Sequence, residues 1–288
     1  METYETEEYK GFTINWEYDT DPFESPRDWE CNLSHMICWH SRYSLGDDHD
    51  YENPQDFLKH LVYDLCSYEE IEKFFVEHAA KCGLEFHEFT EEGEYDGDYK
   101  GELIVHYDSK YATDDRYEAN SIEEAVSEAV DQLMDVMKNE VYIAMIEPYA
   151  VISTISMYDH SGITVWIGSP SDPWDSGYVG YIYQTKEDTI KQNGGTEENW
   201  KDVAWENMKA EMEVYDQYVR GEVFWWQILD ENEEIVDSCG GYYGTDAIEE
   251  QTPECRDIID GYIKEREVQR EIAWEENIIQ NCLDFTYA

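Results

Sequence analysis

The sequence predicts an α+β fold: a mixed or antiparallel sheet with flanking helices, an acidic α/β insertion and a helical C-terminal tail. Three observations predict it. Short runs of aromatic and β-branched residues recur in both halves of the chain. Between them lie segments with a capping residue and apolar positions at helical spacing. The last stretch holds a helical pattern from Pro253 to Cys282.

The elements follow in order. Tyr9–Tyr18 (YKGFTINWEY) alternates loosely and reads as a strand, and Asp21–Arg27 carries two prolines and reads as a loop. His35–His40 reads as a second strand. Asn53 caps a helix with Pro54 at its first position, and Phe57, Leu58, Leu61, Val62 and Leu65 give it an apolar stripe. Ser67 and Glu70 match a capping box for a second helix that buries Ile71, Phe74 and Phe75, with Gly83 at its end. Glu102–Tyr107 (ELIVHY) is strand-like. Ser121 and Glu124 match another capping box, ahead of a helix with Ile122, Ala125, Val126, Ala129, Leu133 and Met137 on one side. Val151–Met157, Ile163–Ile167 and Tyr178–Tyr183 read as strands, and Asn193-Gly194-Gly195 breaks the chain before a helix over about 197–219. Glu222–Leu229 and Glu234–Asp237 flank a hairpin turn. Gly261 weakens the terminal helix near its start. These elements divide as 1–84, the first part of an α+β body; 85–149, an acidic inserted module; 150–244, the rest of the body; and 245–288, the helical tail. No internal repeat is present.

Charge is the dominant compositional fact. The 288 residues include 69 acidic and 19 basic side chains, for a net charge of −50, yet 41% are hydrophobic, with 24 Tyr and 10 Trp. A disordered acidic chain is poor in such aromatics, so this chain folds despite its self-repulsion. Nothing approaches the run of apolar residues a membrane span requires, and no secretion signal opens the chain. The scattered cysteines at 31, 38, 66, 82, 239, 255 and 282 point to reduced thiols in a cytosol. Direct binding to a nucleic-acid backbone needs clustered Lys and Arg, which are missing.

Three roles compete for the charge. Solubility of a small domain needs a net charge of only about 2–8. Adaptation to high salt gives acidic surfaces but no reason for 15% aromatic residues. Mimicry of a polyanion accounts for both sign and size, since a charge of −50 equals that on about 25 base pairs of duplex DNA. Position sharpens this reading. Glu85–Asp98 holds seven acids with no Lys or Arg, and Asp114–Glu140 holds nine, opposed only by Arg116 and Lys138. One such run reads as a solvated face; two in succession read as a displayed surface. The candidate partner-binding residues are Glu88, Glu91, Glu92, Glu94, Asp96, Asp98, Asp114, Asp115, Glu123, Glu124, Glu128, Asp131 and Asp135. A strand beside an acidic helix presents a ridge of carboxylates, one physical way to imitate a phosphate backbone.

Other motifs carry less. Cys31, His35, Cys38 and His40 cluster within ten residues, but without the paired spacing of zinc sites. Asp159-His160-Ser161 holds the residue types of nucleophilic catalysis, but neighbours in one turn cannot build that relay, and no nucleophile elbow, Walker loop or H-E-x-x-H supports it. Asp96-Gly97-Asp98 lacks the remaining oxygens of a calcium loop. The sequence therefore leads to no cofactor, no metal and no catalytic residue.

Several motifs carry a resemblance. Tyr158-Asp159-His160-Ser161-Gly162, Pro173-Trp174-Asp175-Ser176-Gly177-Tyr178-Val179-Gly180, Tyr215-Asp216-Gln217-Tyr218 and Asp237-Ser238-Cys239-Gly240-Gly241-Tyr242-Tyr243-Gly244 are similar to a family of uncharacterised acidic bacteriophage and mobile-element proteins. So are Ser25-Pro26-Arg27-Asp28-Trp29 and Cys38-Trp39-His40. The resemblance covers about residues 9–65 and 150–244, and reaches neither the acidic middle nor the tail. It implies an accessory gene of a phage or similar element, expressed in the cytoplasm of an infected bacterium. Such elements often encode inhibitors of host defence, several of them acidic DNA mimics. The expectation is a non-enzymatic inhibitor that binds a defence nuclease or other DNA-binding host complex through its acidic surface, with self-association open through the tail. One alternative is an assembly protein that blocks such a complex by shape; another is a small enzyme using the 159–161 and 173–177 loops.

Overall fold

A computed structural model of the chain describes residues 3–20, 24–89, 98–107, 113–160, 162–172 and 174–286, with 280–286 as backbone alone. The fold is α+β, with three antiparallel sheets and a C-terminal helix. The first alternating run supplies one strand, β2 (Phe12–Tyr18), and Tyr9 at its start ends a preceding strand, β1 (Thr3–Tyr9), that pairs with β2 in a hairpin. Its two turn residues, Lys10 and Gly11, have φ of 52° and 87°, the left-handed pair whose twist suits a two-residue hairpin. The Lys10 ammonium is held by Asp260 at 2.7 Å.

A short strand, β3 (His35–Cys38), precedes two helices, α1 (Pro54–Leu65) and α2 (Tyr68–Glu77). Both start where their caps predict. Asn53 accepts from the Asp56 N–H, and Ser67 and Glu70 form a full capping box. Next come β4 (Leu84–Glu88), β5 (Gly101–Val105) and β6 (Asp115–Ala119), paired in that order. Helix α3 (Ile122–Val136) begins at Ser121, which accepts from the Glu124 N–H. The predicted box closes differently: the Glu124 carboxylate reaches the N–H of Asn120, one residue before the cap.

Helix α4 (Asn139–Ile146) follows, then β7 (Ala150–Asp159), β8 (Ile163–Ile167), β9 (Ser176–Thr185), α5 (Lys186–Gln192) and α6 (Trp200–Val219). The second hairpin is β10 (Val223–Leu229) with β11 (Ile235–Tyr243), and α7 (Asp246–Thr286) ends the fold. Helix α7 starts ahead of Pro253, which therefore lies inside it and removes one ladder bond.

The contacts divide the chain into two units: residues 1–29, 159–165 and 212–288, and residues 30–158 and 166–211. In the first, the sheet order is β1-β2-β10-β11. Strand alternation puts Phe12, Ile14 and Trp16 beside Phe224, Trp226 and Ile228, and Ile248, Cys255 and Ile259 of α7 close this core. In the second, one core joins Phe57, Leu58, Ile71 and Phe75 of α1 and α2 to Leu103, Val105, Ala125, Val126, Leu133 and Tyr142. The stretch 85–149, expected as an inserted module, thus shares its interior with the helices before it. The order β3-β9-β7-β8 forms the remaining sheet. Gly180 sits where β9 meets β3 so closely that a Cβ there would lie 2.1 Å from the Ile37 carbonyl oxygen.

No helix among the described residues is long and apolar enough to cross a membrane.

Candidate functional site

The acidic residues singled out in the sequence fall into three places. Glu91, Glu92, Glu94 and Asp96 lie outside the described residues. Glu88 and Asp98 are exposed near one end of the β4–β5–β6 sheet, where Glu88 pairs with Gly101 and Gly101 with Ala119. Asp114 and Asp115 are exposed at the opposite end, where Leu84, Val105 and Asp115 pair across the three strands. The remaining five are on α3.

The α3 acids form a ridge because apolar and acidic residues alternate at helical spacing. Ala125, Val126, Ala129, Val130, Leu133 and Met134 are buried, which turns Glu123, Glu128, Asp131 and Asp135 outward. Glu124 is half-buried at the helix start. From Glu123 to Asp135 the helix rises about 18 Å, so the four outward carboxylates lie about 4.5–7.5 Å apart along its axis. One strand of duplex DNA carries a phosphate about every 3.4 Å.

Helix α2 runs antiparallel beside α3. Tyr68 Oη donates to Asp131 at 2.9 Å, and Ser127 Oγ donates to Glu72 at 3.0 Å. Glu72 thereby widens the ridge. Asp131 also accepts from Tyr63 Oη at 3.1 Å. Both phenols are neutral donors, so they orient this carboxylate without cancelling its charge; their own pKa values move upward, Tyr63 through burial first and Tyr68 through the bond to Asp131 first. Hydrogen bonds from backbone N–H and Ser121 hold Glu123 below the usual carboxylate range. Glu70 is held down at about 2, first by Tyr149 and then by Ser67. Among the described residues two cations answer these acids: Lys59 reaches Asp135 at 2.9 Å, and Lys73 lies 3.8 Å from Glu77 on α2. Glu128 has no ion-pair or hydrogen-bond partner among the described residues.

The sheet is electrostatically different. Its outer face carries Glu85, Glu102 and Glu118 but also His87 and Arg116, and Arg116 pairs with Glu102. His106 bridges two carboxylates, with Nε2 3.0 Å from Glu85 and Nδ1 3.1 Å from Asp114. These bonds, that to Glu85 first, raise its pKa. Asp115 accepts from Tyr107 Oη at 2.5 Å. The charge on this side is partly answered by Arg116 and His106, whereas on α3 only Asp135 has an ion-pair partner among the described residues.

The other sequence candidates are engaged separately. Cys31 is exposed; His35 lies 3.6 Å from Asp47 and stacks on Tyr183; His40 Nδ1 accepts from the backbone N–H groups of Arg42 and Tyr43. No group of three or more His, Cys, Asp or Glu suited to a metal occurs among the described residues. Ser161 lies outside the described residues, and Asp216 of the Tyr215–Tyr218 motif accepts from Thr164 Oγ1 at 2.6 Å and the Val165 N–H at 2.8 Å.

Sequence reasoning missed the tyrosine pair that orients Asp131 and the lysine on Asp135, because both come from helices more than sixty positions away in the chain. Comparison of the chain with family models, with curated proteins and with solved structures returns no match.

Proposed function

We propose that this protein is a non-enzymatic inhibitor, carried by a bacteriophage or similar element, that occupies the cationic groove of a bacterial DNA-processing defence complex in the host cytoplasm. The observation that carries this reading is the α2–α3 ridge. Its four outward carboxylates line one helix about 6 Å apart along the axis, an ordered row of negative charge with Lys59 and Lys73 as the cations paired along it among the described residues. Attraction between this surface and a Lys/Arg groove raises the association rate and fades as salt shortens the screening length. The net charge of −50 adds a long-range field of the same sign, and the phage-like motifs supply the biological setting.

The test is a pull-down of tagged protein from bacteria carrying defence systems, at about 50 mM and about 500 mM salt, where screening lengths differ roughly threefold. The expected partner is a DNA-processing complex held at low salt, released at high salt and displaced by duplex DNA. A variant with Glu123→Gln, Glu128→Gln, Asp131→Asn and Asp135→Asn should keep its fold and lose the partner. Unchanged inhibition by that variant overturns the assignment of the ridge.

A second reading, blockade by shape and self-association, is favoured by α7. Beyond Ile259 this helix exposes Val268, Ile272, Trp274, Ile278 and Ile279. A partner retained at high salt, indifferent to DNA and lost when Trp274 and Ile278 become serine supports it.

A further inference from the structure

The loop between β8 and β9 presents Trp174, which is 90% exposed. Hydrogen bonds hold the backbone at Trp174 and Asp175. Asp172 Oδ1 accepts from the backbone N–H of Trp174 at 2.8 Å and of Asp175 at 3.1 Å. The Asp172 N–H donates to Ser176 Oγ at 2.8 Å, and that hydroxyl donates back to the Asp172 carbonyl. Two further rings border the same loop through Ser169: Trp166 Nε1–H donates to its carbonyl at 3.0 Å, and Tyr178 Oη, on a ring 62% exposed, lies 3.5 Å from its Oγ. No Lys or Arg occurs between Lys138 and Lys186, so the nearest charges in sequence are the carboxylates of Asp172 and Asp175.

A partner that covers this indole has to order one side chain but not the hydrogen-bonded backbone that carries it, and such aromatic anchors dominate binding energies. Covering it with an uncharged apolar surface would strip water from the charged Asp172 carboxylate without replacing it. A guanidinium satisfies both requirements, because its plane stacks on the ring face while its N–H groups meet the carboxylates. We propose that Trp174, with Tyr178, Asp172 and Asp175, forms a docking site for arginine side chains on a basic protein partner. This inference rests on the reading that the partner is basic. It adds a preference for arginine over lysine that the carboxylate ridge does not supply.

Fluorescence anisotropy of labelled octa-arginine and octa-lysine peptides tests it on the full chain near physiological salt. The wild-type protein is expected to favour octa-arginine. Trp174→Ala should weaken octa-arginine about five- to tenfold and octa-lysine about twofold or less, and Trp174→Phe should recover most of the loss. The side chain touches solvent on nearly every side, and circular dichroism checks that the variant stays folded. Neutralising the four α3 acids should weaken both peptides alike. If Trp174→Ala binds octa-arginine as wild type does, or loses both peptides equally, the docking site is wrong whatever the ridge does. If the ridge variant keeps both affinities while Trp174→Ala loses octa-arginine, the ridge reading falls and the docking site stands.

Discussion

Leu133 tests whether the acidic segment and the helices before it share one interior. The side chain is fully buried on α3, in the cluster that also contains Phe57, Leu58 and Leu61 of α1 and Ile71 and Phe75 of α2. Leu133→Ala removes buried methyl groups and leaves a cavity that well-packed neighbours fill only in part, a loss of about 3 kcal/mol. In a single cooperative core, that loss is felt at every amide whose exchange requires opening of the core. Native-state hydrogen exchange is therefore expected to speed up roughly 150-fold not only in α3, around Ala129 and Val130, but also at Leu61 and Val62 of α1. The polar links between α1 and α3, Lys59 to Asp135 and Tyr63 to Asp131, are too exposed to carry such an effect, so it would report the packed interior. Exchange in α1 that stays at its wild-type rate while α3 accelerates would refute the shared core and restore an autonomous module.

Two further predictions concern the sheets. His106 has a pKa raised above its usual 6.5 by Glu85 and Asp114. The stability it lends is fully present below the unfolded-state pKa and is lost as pH rises through the raised folded value. Denaturant midpoints should therefore decline with pH from about 6.5 upward, and His106→Gln should remove that part of the slope; an identical slope in the variant would exclude His106 as its source. Gly180→Ala forces a Cβ against the Ile37 carbonyl oxygen and, at 2.8 Å, the Cys38 Cα, both backbone atoms that cannot rotate away. The expected loss is about 2 kcal/mol, a fall in Tm of roughly 4–8 °C, whereas Gly177→Ala, with nothing within 4 Å of the added atom, should melt like wild type.

The legible parts of this fold are those with local chemistry. Asn53-Pro54, Ser67 with Glu70, and Ser121 each mark a helix start at the residue where the structure places it. The acidic face of α3 is equally readable, since spacing alone separates Ala125, Ala129 and Leu133 from Glu128, Asp131 and Asp135. What escapes is decided elsewhere in the chain. Helix α4 (NEVYIAMI) has apolar residues on several sides and no side-chain cap at Lys138, so neither period nor cap announces it. Strands β1 (TYETEEY) and β6 (DRYEA) are mostly exposed and polar, and owe their state to the strands they pair with. The Lys10-Gly11 turn lacks the Asn-Gly signal that identifies most such hairpins. At the candidate site, the acids were visible, but the tyrosines beneath Asp131 belong to a tertiary arrangement no local pattern encodes.

The sheet that joins β2 to β10 has a consequence for synthesis. Phe12, Ile14 and Trp16 leave the ribosome before the strand they pair with, which, through contacts such as Ile14 to Ile228 and Trp16 to Trp226, is made some two hundred residues later. At about 5–20 residues per second that wait lasts roughly 10–40 s. During it, residues 30–211, which span the whole of the second unit, are made while an aromatic hairpin stays unpaired on its inner edge. Unsatisfied edges of this kind seed aggregation in nascent chains. Here the waiting hairpin carries Glu5, Glu7, Glu8 and Glu17, and the chain emerging behind it is overwhelmingly negative, so neighbouring nascent copies repel one another until the last helix arrives.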